Sequence, residues 1–127
     1  MIVLDTSALM AVLQDEPLSE ACMAVLEREE RLLMSTVTFA EASIVAARRG
    51  LAEEMARLIE GLGVEFIDVT AAVAGLAVGT YARYGKGAHS AALNFGDCFA
   101  YATASLRGCP LLFVGNDFSQ TDVQSAL

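Results

Sequence analysis

Four carboxylates occupy positions from which side chains distant in sequence can meet. Asp5 follows the apolar run Ile2-Val3-Leu4, and Asp117 lies just past Leu111-Leu112-Phe113-Val114. Glu41 and Asp97 each lie near the start of a helical pattern, after Thr38 and Asn94. Taken singly, each has a local explanation. Asp5 or Thr6 can cap the next helix, Thr38-Phe39-Ala40-Glu41 and Asn94-Phe95-Gly96-Asp97 both read as capping boxes, and Asn116-Asp117 is ordinary turn chemistry. Taken together they are costly, because two carboxylates ~5 Å apart repel by roughly 3 kcal/mol at an effective dielectric near 20. Four at one crevice would rival a domain's whole margin of stability unless a cation or a partner offsets them. Oxygen ligands without His or Cys select a hard ion, Mg²⁺ or Mn²⁺, that keeps waters in an octahedral shell. Such an ion suits hydrolysis at phosphorus, where it activates water and neutralises charge growing on phosphate oxygens.

Those side chains meet only if the fold brings them to one edge. The short apolar runs Ile2–Leu4, Leu32–Met34 and Leu111–Val114 predict strands buried on both faces. Val64–Val69 alternates like another strand, and a last short strand is expected near Val123. Helical spacing predicts helices at about Ser7–Leu13, Ser19–Glu29, Thr38–Arg49 (stopped by Gly50), Ala52–Leu62, from the Thr70 cap to Tyr84, and Phe95–Arg107. Strands alternating with helices imply right-handed crossovers and an α/β fold, with a mainly parallel central sheet of roughly four to five strands flanked by helices on both faces. No linker, repeat or low-complexity stretch divides the 127 residues, so one domain over 1–127 is expected. In such sheets the working crevice lies beyond the carboxyl ends of the strands, the edge that Asp5 and Asp117 share. Helix starts that follow parallel strands open there too, which would bring in Glu41 and Asp97.

Composition narrows the choice of function. A hydrophobic fraction of 55% and a charged fraction of 19% exclude a disordered chain. Sixteen Asp and Glu against eight Lys and Arg give a net charge of −8, which argues against the basic face of a duplex-binding protein. The longest greasy run, Ala71 to Gly79, is half of what a bilayer requires, and no basic segment precedes an apolar one at the start. A soluble, cytoplasmic protein without membrane contact is expected. Cys22, Cys98 and Cys109 form neither a disulfide framework nor a CxxC pair, and reduced thiols are the expected state.

The same residues carry a family likeness. Ile2-Val3-Leu4-Asp5-Thr6-Ser7-Ala8-Leu9, Ser35-Thr36-Val37-Thr38-Phe39-Ala40-Glu41, Leu93-Asn94-Phe95-Gly96-Asp97-Cys98-Phe99-Ala100-Tyr101-Ala102 and Leu111-Leu112-Phe113-Val114-Gly115-Asn116-Asp117-Phe118 resemble the PIN-domain ribonucleases. More narrowly, they resemble the VapC-type toxins of type II toxin–antitoxin pairs. The likeness spans essentially the whole chain in order. It implies a metal-dependent endoribonuclease restrained by a cognate antitoxin, with Asp5, Glu41, Asp97 and Asp117 as catalytic, metal-binding acids. It further implies that Thr6 or Ser7 orients Asp5 or a metal-bound water. Asn94 would contact the scissile phosphate or fix Asp97, and Asp122 would lend more remote support. The implied reaction is hydrolytic: Asp97 or Asp5 takes a proton from water, attack on phosphorus is in line, and the products carry 5′-phosphate and 3′-hydroxyl ends.

An acidic protein that cuts a polyanion needs local positive charge. Tyr81 to Ser90 supplies Arg83, the only lysine (Lys86), the only histidine (His89), two tyrosines and flexible glycines, the ingredients of a surface for single-stranded or structured RNA. The same residues also read as an exposed helix end. Two positions depart from the family pattern: Ala88 stands where Arg is common and Val114 where Lys is common. Arg48 and Arg49 end the Glu41 helix, either to contact RNA or to cap it. Met23, Leu26, Met55, Leu58 and Ile59 give two helices apolar faces for an antitoxin segment, for a homodimer or higher assembly, or for the core. Two alternatives belong to other classes. A phospho-receiver signalling domain needs a lysine beyond a late strand, whereas Lys86 precedes a helix; a PIN-like interaction domain would bind at the acids without catalysis.

Overall fold

Side chains alternate along each strand, and here the alternation serves two separate cores. In the computed structural model, which describes residues 1–127, the strands are β1 (Ile2–Leu4), β2 (Leu32–Ser35), β3 (Glu65–Ile67) and β4 (Leu111–Leu112). The helices are α1 (Thr6–Leu13), α2 (Ser19–Arg28), α3 (Thr36–Arg48), α4 (Ala52–Leu62), α5 (Ala71–Tyr84) and α6 (Phe95–Arg107). Ile2, Leu4, Leu32, Met34 and Leu112 face one core, built with α1 to α4. Val3, Leu33, Ile67 and Leu111 face the other, with α5, α6 and the aromatics Phe113 and Phe118. Burial on both sides explains why β1, β2 and β4 read as unbroken apolar runs, whereas β3 at the edge leaves Glu65 and Phe66 exposed.

All four strands are parallel, in the order β3-β2-β1-β4. The first two crossovers step outward from β1 through β2 to β3; the third returns past β1 to β4. Connections therefore leave β1 and β4 in opposite senses, which opens a crevice beyond their carboxyl ends. The strand expected near Val123 shrinks to a single parallel bridge between Leu111 and Ser125. Ala126 N–H donating to Leu111 O at 2.9 Å anchors it.

Leu26, Met55 and Ile59 are buried, while Met23 and Leu58 pack against the same core, so of the readings open for these faces of α2 and α4 the core is the one borne out. Four helices on one side of the sheet, α1 to α4, supply the cover that a single small sheet would lack. Helix α3 starts at Thr36, capped by the Ser35 hydroxyl accepting Val37 N–H at 3.2 Å, not after Thr38. No helix is long and apolar enough to cross a membrane.

Candidate active site

Asp5, Glu41, Asp97 and Asp117 line one cleft of about 400 Å³ beyond β1 and β4. Asp5 leaves β1 as the N-cap of α1, and its backbone N–H donates to Leu112 O at 3.0 Å, fastening it to β4. Its Oδ2 accepts the Ser7 N–H at 3.0 Å and the Ser7 hydroxyl at 2.6 Å. Ser7 Oγ in turn accepts the Val114 N–H at 3.0 Å. A line of donors thus runs from the loop after β4 through Ser7 to Asp5. Asp5 Oδ1 is buried and has no partner.

The expected capping box at α6 is formed: Asn94 Oδ1 accepts Asp97 N–H at 2.8 Å, and Asp97 Oδ2 accepts Asn94 N–H at 2.9 Å. Asp97 is thereby fixed through one oxygen, and Oδ1 stays free of any such bond. The box expected at Thr38 is not formed. Because α3 begins earlier, Glu41 falls in its second turn and accepts the Thr6 hydroxyl at Oε1, at 2.6 Å. Thr6 and Ser7, adjacent on α1, therefore hold different acids.

Glu41 reaches this place because residue 96 has no side chain. A Cβ on Gly96 would stand 2.8 Å from Glu41 Cδ and closer still to Oε2. Gly96→Ala is expected to push the Glu41 carboxylate out of the cleft while leaving helix α6 intact, since Ala is a better helix former than Gly. The RNA cleavage that the family resemblance implies should fall at least tenfold (roughly 1.4 kcal/mol in the barrier) with melting nearly unchanged. Wild-type rates in the purified variant would show that Glu41 is not needed where it stands.

Burial and crowding load the cleft electrostatically. Burial pushes the Asp5 carboxyl up to about 6, with Glu41 adding to it, even though the Ser7 bonds pull the other way. Burial pushes Asp97 to about 7; the Asn94 N–H opposes this, and the charges of Asp5, Asp117 and Glu41 add to it. A buried acceptor without a donor, next to acids that hinder one another's ionisation, is what a hard cation relieves. No three of the acids close into a ready-made cage. An ion here would be held by one or two carboxylates, with water filling its remaining positions.

Comparison with known proteins settles the kinship. A PIN domain is matched over residues 2–124. The chain is 43% identical to Ribonuclease VapC30 of Mycobacterium tuberculosis over 125 residues, covering 96% of this chain and 95% of that protein. The chain belongs to the PIN-domain family. Ribonuclease VapC of Mycolicibacterium smegmatis is 42% identical over 125 residues, covering 96% of this chain and 97% of its own. Among solved structures, M. tuberculosis VapC20, described as a sarcin-ricin loop cleaving toxin, superposes with a TM-score of 0.79 at 19% identity over 97% of this chain and 96% of its own. A toxin–antitoxin complex from Klebsiella pneumoniae gives 0.71 at 18% identity over 96% and 93%. These two likenesses concern the fold, a PIN-like α/β domain whose four parallel strands lie between two helical layers.

In this PIN domain several residues singled out from sequence lie elsewhere. Asp122 is drawn away by the short 3₁₀ turn Phe118–Gln120; it accepts the Tyr101 hydroxyl and pairs with Arg83 at 3.5 Å, touching none of the four acids. Arg83 also lies over the Tyr84 ring at 4.6 Å. His89 accepts Ala91 N–H at Nδ1, at 3.0 Å, and packs edge-on against Tyr84. Lys86 and Asn94 line a separate apolar groove between α5 and α6, with Tyr81 and Phe95. The cleft is instead completed by Met10, Gln14, Glu16, Val45 and Arg49, of which only Arg49 drew notice in the sequence. Glu41, Val45 and Arg49 recur every four residues on α3, a stripe that could have marked them as one face.

Proposed function

We propose that this chain is an endoribonuclease toxin that hydrolyses RNA phosphodiester bonds with Mg²⁺, or Mn²⁺ in its place, and that a cognate antitoxin restrains it. The observation that carries this reading is the meeting of four carboxylates, two of them buried, at the one crevice the strand order opens. The ribonuclease names of relatives above 40% identity support it. When bound, the ion supplies polarised water and neutralises charge on the phosphate. Asp5 and Asp97, the most enclosed acids, would hold it, with Glu41 and the exposed Asp117 lining the same cleft. Ser7 keeps Asp5 Oδ2 turned away from rotation, and Thr6 does the same for Glu41 Oε1. Asp97 Oδ1, the oxygen the capping box leaves free, is placed to take the proton of the attacking water. Attack in line at phosphorus expels the 3′ oxygen and leaves 5′-phosphate and 3′-hydroxyl ends.

The antitoxin reading rests on the kind of complex formed by the Klebsiella relative. A basic side chain of such a partner entering the cleft would offset the same repulsion that the ion offsets, and a homodimer or larger assembly is part of the proposal. Lys86, which makes no ion pair, and His89 are the loop residues proposed to touch the strand; Arg83 adds charge nearby. Purified protein is expected to cleave single-stranded or loop RNA with Mn²⁺ or Mg²⁺ and to stop in EDTA. Cleavage persisting in excess EDTA would refute the mechanism.

A further inference from the structure

The cleft is not acidic throughout. Helices α1 and α3 pack side by side, and between them a trough runs from the carboxylates toward Gln14 and Arg49, floored by Met10 and Val45. Glu41, Val45 and Arg49 share one face of α3 at four-residue steps, so Arg49 lies about 12 Å farther along the helix than Glu41. Arg49 is the sole cation lining the cleft, at the opposite end from Glu41. It forms no ion pair; its Nη1 donates to Gln14 Oε1 at 2.6 Å. A neutral amide thus orients the guanidinium without cancelling its charge, and most of its five N–H donors stay open. Capping of α3 does not explain it, because the bond runs to Gln14, the residue that ends α1.

Resting on the ribonuclease reading, we infer that Arg49, held by Gln14, is a substrate-positioning residue. It binds an RNA phosphate beyond the scissile one and so lays the strand along the α1–α3 trough toward Asp97. Arginine suits this role because its planar fork matches phosphate oxygens in a two-bond grip. Lysine in its place keeps the charge and loses the fork.

Steady-state cleavage of a single-stranded RNA by wild type, Arg49→Gln, Arg49→Lys and Arg48→Gln tests this. Arg48 is exposed at the same helix end but does not line the cleft, so its loss removes equal charge without removing the contact. Arg49→Gln is expected to raise KM about tenfold with kcat within about twofold, and Arg49→Lys to fall between. The dependence of log(kcat/KM) on log salt should become shallower by about 0.7, one phosphate contact on a single strand, in Arg49→Gln alone. Melting temperatures near wild type would accompany these changes. Arg49→Gln matching Arg48→Gln in KM and salt slope, or losing kcat alone, overturns the inference and leaves the nuclease standing. Absence of cleavage by the wild type with metal overturns the nuclease reading and this inference with it.

Discussion

Asp97→Asn should abolish RNA cleavage and, without divalent metal, make the protein harder to unfold. Both effects follow from one property. Asp97 is held in a buried, acid-lined cleft whose surroundings raise its carboxyl to about 7, so at pH 8 it bears a charge that the fold resists. Asparagine has nearly the same shape and its amide oxygen can still accept Asn94 N–H, so the capping box survives while the charge goes. Relief of about 2 kcal/mol is expected, worth several degrees in melting temperature for a chain of this length. Cleavage should drop by roughly 10³-fold or more if Asp97 holds the ion and takes the proton as proposed. A variant that melts lower than wild type in EDTA at pH 8 would show that the carboxylate is not under strain there.

The second large effect is a linkage between pH, metal and stability. Asp5 and Asp97 titrate in the folded protein at about 6 and about 7, above the ordinary 3.8. A group whose folded pKa is raised contributes stability that is fully present below its unfolded value and is lost as pH rises through the folded one. Metal-free protein should therefore become less stable from about pH 4 to pH 8, by a few kcal/mol in all, and then level off. Mn²⁺ or Mg²⁺ binds the ionised acids, so its stabilisation should be small at pH 5 and largest at pH 8. Urea unfolding at the two pH values, with EDTA and with saturating Mn²⁺, reads both trends. Stability of the metal-free protein that climbs with pH over this range would contradict the burial described for these acids.

Much of this site was legible because strand ends and helix starts are local patterns. Asp5 could be placed from three apolar residues before it and the rule that crevices open at carboxyl ends. Asp97 could be placed from its own capping box, which lies within four residues. Glu41 was reached through the wrong local reason: the Thr38 box competes with the Ser35 cap, and Ser35 prevails because β2 delivers the chain there already extended. The Thr6–Glu41 bond spans 35 residues and depends on how α1 packs against α3, which no local pattern reports. Asp122, which the resemblance offered only as remote support, lies past the 3₁₀ turn and pairs with Tyr101 and Arg83, contacts that no local pattern reports. Glu16 and Gln14 carried no motif at all; the turn after α1 alone brings them to the trough. The basic loop shows the opposite failure, in which suggestive composition serves partly to pack tyrosines and to pair with Asp122.

The hydroxyl of Ser7 joins the first strand's end to residues more than a hundred positions later. An emerging polypeptide that has made Asp5, Glu41 and Asp97 still lacks the amide of Val114, the Leu112 carbonyl that anchors Asp5, and Asp117 itself. The acidic centre is therefore completed only when residues 112–117 have folded back onto the end of the first strand.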